Sequence, residues 1–196
     1  MKKLALVILA GVSFATANAQ FQFGVKGGFN FSSLNGSDIQ DARTRVSANL
    51  GAFIRLPIAE RVSLQPELVY SSQGAKFVNP DESFPVNYLN IPILLRFGVG
   101  GGFAIYTGPQ IGILLSAKDK MNGNSIDLKD AYKSSDLSWA FGLGYKIPQT
   151  PVGIDFRYNA GLSNIEEHSF NNSHGSIRNG VFQLGVTYVL FSSGRK

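Results

Sequence analysis

A period of two constrains this chain more than any other feature. Residues 87–115, NYLNIPILLRFGVGGGFAIYTGPQIGILL, are apolar enough to resemble a membrane helix. Yet Leu89, Ile91, Ile93, Leu95 and Phe97 alternate with Asn90, Pro92, Leu94, Arg96 and Gly98. Successive side chains of a strand point to opposite faces, whereas a helix would spread Asn90 and Arg96 around its circumference. The stretch therefore reads as a strand, a glycine turn and a second strand. In that second strand Phe103, Ile105, Ile111, Ile113 and Leu115 oppose Ala104, Tyr106, Gly108, Gln110 and Gly112.

The same alternation recurs along the chain. Phe21, Phe23, Val25, Phe29 and Phe31 oppose Gln22, Gly24, Lys26, Gly28 and Asn30. Val46 to Leu56 alternates with Ser47, Asn49, Gly51 and Arg55, with Phe53 breaking the pattern. Val62, Leu64, Leu68 and Tyr70 oppose Ser63, Gln65, Glu67 and Ser71. Three further segments, 137–147, 152–162 and 182–190, behave alike. Together these predict eight strands of roughly ten residues, the length that crosses a bilayer's hydrocarbon core when tilted.

The N-terminus has the layout of a secretory leader. Two lysines precede an apolar run from Leu4 to Val12, and a small-residue stretch ends at Ala19. Residues 1–19 are expected to be a cleaved signal peptide, leaving 20–196 as one domain. The apolar run is short for a helix that must span a bilayer. Lys+Arg 18 against Asp+Glu 13 gives a net charge of +5, and loss of Lys2 and Lys3 lowers it to +3. The remaining bases are scattered, which argues against nucleic acid as a partner. With no cysteine there is no disulfide framework. Gly 22 and Phe 15 against a single tryptophan fit a β-rich chain.

The connections alternate in length. PIAER, GVGGG and PQTP are short, whereas SSLNGSDIQDART, SQGAKFVNPDESFPV, AKDKMNGNSIDLKDAYKSS and SNIEEHSFNNSHGSI are long and polar. Short turns on one rim and long loops on the other describe an outer-membrane barrel with periplasmic turns. The fold class is therefore all-β: an eight-stranded antiparallel up-and-down transmembrane barrel of the OmpA/OmpX-like architecture. Both termini are expected on the periplasmic side and the long loops outside, in the bacterial outer membrane.

A soluble lipocalin-like barrel alternates too, with its apolar face inward. Two features favour apolar-out. The polar face carries Lys26, Arg55, Glu67, Arg96, Lys146, Asp155 and Arg157 among glycines and asparagines, a composition suited to a narrow ion-paired interior. Phe21, Phe31, Tyr70, Tyr145, Tyr158 and Phe191 end the apolar faces as interfacial girdles do. An eight-stranded barrel is just wide enough for its side chains to fill, so these seven charges are expected to plug the lumen rather than line a pore. Five bases face two acids there, and the excess needs water, counter-ions or loop carboxylates. Pro66, Pro92 and Pro109 each remove a ladder hydrogen bond inside a predicted strand, and β-bulges are the expected remedy.

The blocks FGVKGGFNFSSL (23–34), LQPELVYSSQGAKF (64–77), YLNIPILLRFG (88–98) and GPQIGILLSAK (108–118) resemble those of the PorT-like outer-membrane β-barrel family of Bacteroidota. The likeness covers 21–191. It implies an outer-membrane porin-family barrel that tolerates the three prolines. It also implies a link, through the name-giving member, to a protein-secretion apparatus. One departure is the tail SSGRK after Phe191, where such barrels commonly finish on an aromatic.

Chemistry is scarce. GVGGG lacks the last glycine of a dinucleotide loop and leads into a strand, so no helix N-terminus is offered to a phosphate. His168 and His174 share one polar loop with Glu166, Glu167, Ser169 and Ser173. Outer-membrane deacylases and phospholipases use Ser–His sets, but catalysis requires those groups to be held rigidly, and the loop has no recognised metal-ligand spacing. The expectation is a non-enzymatic barrel without cofactor or metal. It would act as a scaffold or accessory in an envelope or secretion assembly, or as a surface-loop binding protein. The partners expected are outer-membrane lipid and envelope or secretion-machinery proteins. The alternatives are a lipid-modifying hydrolase, a small pore and a soluble barrel.

Overall fold

The computed structural model describes residues 21–35, 43–76, 83–121, 124–127, 129, 133–163 and 178–193. The predicted leader lies outside them. Nine strands follow in order: β1 (Gln22–Asn35), β2 (Arg43–Ala59), β3 (Val62–Lys76), β4 (Ser83–Gly100), β5 (Phe103–Met121), β6 (Asn124–Asp127), β7 (Ser135–Lys146), β8 (Val152–Gly161) and β9 (Arg178–Ser192). Each barrel strand pairs antiparallel with its neighbours, and β1 pairs with β9 to close the cylinder. Eight strands form the wall. β6 is a spur on β5, joined through Lys118↔Asp127 to Met121↔Asn124.

The apolar face is outside. Phe29, Leu50, Ile105, Ile111, Phe141 and Leu190 are among the exposed large side chains, while Lys26, Asn30, Glu67, Ser71, Asp155 and Arg157 are buried in the lumen. Burying charge inside and exposing aliphatics outside inverts a soluble protein and suits a hydrocarbon solvent. Phe53, the exception in the alternation of β2, points inward and is buried. Gly24 on β1 makes room for it, since a Cβ there would overlap the Phe53 ring.

At the girdles, Phe21 meets Phe191 at 5.5 Å, Phe103 meets Tyr145 at 4.5 Å and Tyr158 meets Phe182 at 4.5 Å between ring centroids. The indole N–H of Trp139 donates to Thr107 Oγ1 at 2.7 Å on the outer face. That bond satisfies a group that lipid cannot.

The GVGGG turn needs its glycines. Gly100, Gly101 and Gly102 all have positive φ, a conformation that costs side-chain-bearing residues energy.

Two expectations change. Most wall strands run past ten residues, reaching 19 in β5 while β8 keeps to ten, so parts of the segments expected as loops are strand. The three prolines, moreover, do not sit in bulges. Register shifts occur between Phe23 and Gly24, Thr44 and Asn49, Pro57 and Ala59, Asn87 and Tyr88, and Gly98 and Gly100. At Pro66, Pro92 and Pro109 the register instead runs straight through. Rungs are missing where Glu67 and Leu68 face β4, and where Ile93 and Leu94 face β5. Pro66 faces Ile93 across the β3–β4 seam, and Pro109 faces Trp139 across the β5–β7 seam.

Candidate functional site

The lumen is built in layers, and the charged one lies at its waist. Lys26 from β1, Glu67 from β3, and Asp155 and Arg157 from β8 meet across the barrel axis. Arg157 donates from both terminal nitrogens to the two Glu67 carboxylate oxygens, each at 2.8 Å. This is the two-pronged geometry that makes guanidinium–carboxylate pairs strong. Lys26 Nζ lies 2.9 Å from Asp155 and 3.4 Å from Glu67. Asp155 also lies 3.7 Å from Arg157. The Arg157 and Glu67 side chains are both 0% exposed, so each charge relies on its partners rather than on solvent.

Tyr106 on β5 completes the waist. Its hydroxyl donates to Asp155 Oδ2 at 2.6 Å and accepts from Arg157 Nε at 3.3 Å. The guanidinium carbon of Arg157 lies 5.0 Å from the ring centre and that of Arg96 lies 5.7 Å from it, both within cation–π range. Gly142 on β7 creates this space, because a Cβ there would run into the Tyr106 ring. Gln65 donates to Glu67 at 2.7 Å and accepts from Arg55 Nε at 2.9 Å.

Toward the long-loop rim the polar groups are mostly neutral, with Arg45 and Asp136 the charged exceptions. Asn30 accepts from Asn49 at 2.7 Å and from Gln183 at 2.9 Å, and donates to Ser71 Oγ at 2.9 Å. Ser32, Arg45, Ser47 and Gln73 bond the surrounding wall. On the β4–β5 wall the inward face becomes apolar, with Phe84, Val86, Tyr88, Leu114 and Ala117 in one cluster.

Of the seven charged residues that alternation places on the inner face, the structure brings four together at the waist. The other three lie toward the short-turn rim. Arg55 donates to the neutral Gln22 and Gln65 side chains. Arg96 reaches the Tyr106 ring, and Lys146 lies exposed at the mouth. Sequence reading missed Tyr106 and Gln65 as members of the network. Tyr106 did carry a signal: it is an aromatic on the polar face of β5, away from either girdle. His168, His174, Glu166, Glu167, Ser169 and Ser173 lie outside the described residues.

A family model described as outer membrane protein β-barrel domain matches residues 14–167. The chain belongs to that family. Solved structures with a similar fold include Neisserial surface protein A, at 14% identity and TM-score 0.56, covering 85% of this chain and 96% of that one. The attachment invasion locus protein Ail of Yersinia pestis, solved with the heparin analogue sucrose octasulfate, is 16% identical with TM-score 0.54, covering 88% and 99%. At such identity the likeness concerns the fold of this outer-membrane barrel. No curated protein matches its sequence.

Proposed function

We propose that this outer-membrane barrel is a non-enzymatic scaffold with a closed lumen. In that role it displays its long connections on one face of the membrane and holds its short turns and termini in the periplasm. The observation that carries the reading is the Arg157–Glu67 fork across the waist, wedged by Tyr106 and Lys26. A conduit needs a continuous hydrated path, and this cross-section is spent on side chains. Among the described residues the outer face consists of apolar strands and ring pairs, a surface suited to lipid. The resemblance of blocks 23–34, 64–77, 88–98 and 108–118 to PorT-like barrels favours a role as accessory in an envelope or secretion assembly.

Two measurements test this. In planar bilayers the native protein should give no stable conductance steps, whereas R157A combined with Y106A should open a path. Native steps that respond to neutralising Arg96 would make it a pore instead. Mild cross-linking in intact cells should capture an envelope protein in near-stoichiometric amount. Recovery of the barrel alone would remove the assembly role.

A further inference from the structure

The charge arithmetic of the lumen does not close at the waist. Glu67 and Asp155 are taken up by Lys26 and Arg157, and neither comes within ion-pair distance of Arg55, Arg96 or Lys146. Those three line one recess of about 230 Å³ that opens between the short turns. A narrower pocket is lined by the same three residues, with Gln65, Thr187 and Asp155 in its walls, the carboxylate being already engaged by Lys26 and Tyr106. At the mouth, Glu60 is matched by Arg61 on the same turn. The recess therefore keeps its positive excess.

Among the described residues, Glu60 is the one carboxylate lining the wider recess, and Asp155, held by Lys26, is the one lining the narrower pocket. The donors are also set up for a ligand. Arg55 is held by two neutral oxygens, Gln22 Oε1 at 2.8 Å and Gln65 Oε1 at 2.9 Å, which orient its plane without neutralising it. Arg96 lies over Gly144, where a Cβ would come within 2.7 Å of its terminal nitrogens. An arginine kept in place by an absent side chain and an aromatic face has its hydrogen-bonding edge to spare. The two guanidiniums line the same recess and the same narrower pocket. Like charges held together this way favour an anion between them.

We infer that the short-turn recess of the barrel is a binding site for a small oxyanion, a phosphate or carboxylate group, held by Arg55 and Arg96 with Lys146 at the mouth. The site is blind: an anionic group enters from the turn side, docks and leaves by the same route. It requires only that the waist be closed, not that the barrel belong to any assembly.

The test uses the full barrel purified folded in a non-ionic detergent free of phosphate, titrated at low ionic strength with inorganic phosphate and, separately, with acetate. Calorimetry should show saturable one-site binding. R55Q and R96Q should each weaken it by about tenfold or more, as expected for loss of a charged hydrogen bond. K118Q, at the exposed long-loop end of β5, should leave it within about twofold, the effect of a distant solvent-screened charge. Binding of phosphate alone would identify phosphate groups as the ligand. Comparable binding of acetate would extend it to carboxylate chain ends. Absence of saturable binding by either anion overturns the proposal, as does an unchanged affinity in R55Q combined with R96Q. Should a glutamine variant lose the gel shift of a folded barrel, the native protein decides. Arginine Nε–H signals assigned through R55K and R96K must move on titration, and stationary signals refute the site.

Discussion

The waist and the short-turn recess use the same side chains to opposite ends. At the waist, Arg157 is buried with both prongs on Glu67, and its charge is balanced within the protein. Nearer the turns, Arg96 meets the Tyr106 ring, and Arg55 meets two amides and the Phe53 ring. An arginine in a barrel is thus no more a plug than a binding group by nature. What decides is whether a carboxylate from another strand arrives at its level.

The sharpest way to break the contrast is Arg157→Leu. It leaves Glu67 buried without its fork and should cost about 3–5 kcal/mol of folding stability, read as urea unfolding in detergent. Glu67→Leu added to Arg157→Leu should restore most of this, because the Lys26–Asp155 pair survives. A double variant no better than the single would mean that the waist acts through shape, not charge. Smaller is the effect of Gly142→Ala. Its methyl group displaces the Tyr106 ring and so strains the network without touching a charge, at about 1–3 kcal/mol. A neutral result in the same unfolding assay would show that the ring has room to move. Smallest is Arg55→Gln with Arg96→Gln, which should shift stability by no more than about 0.5 kcal/mol. A large loss there would place the recess arginines among the supports of the fold.

Alternation alone located all eight wall strands, because a strand between lipid and a polar lumen must change character at every residue. It failed where the bilayer ends. The segment Lys118–Met121 of β5 has no apolar face to reveal it, yet it pairs with both β4 and β6. Partners within the lumen were beyond reach for a different reason. Glu67 and Arg157 are 90 residues apart and meet across the axis, so their contact depends on the stagger of every strand between them. Tyr106 shows the same limit: its place follows from the opposition of Gly142, a fact of register rather than of either residue. The prolines misled in the other direction. A bulge is one answer to a missing N–H, but this wall simply omits rungs and keeps its register.

Those omitted rungs make the cylinder mechanically uneven. Between β1 and β9 the pairing runs from Gln22 to Asn35 with one shift, whereas the β2–β3, β3–β4 and β4–β5 seams all lack rungs around the prolines. A tube under lateral pressure ovalises where its staves are least tied. When the surrounding bilayer thickens or thins, the deformation is therefore taken up along β3 to β5, while the closing seam stays stiff.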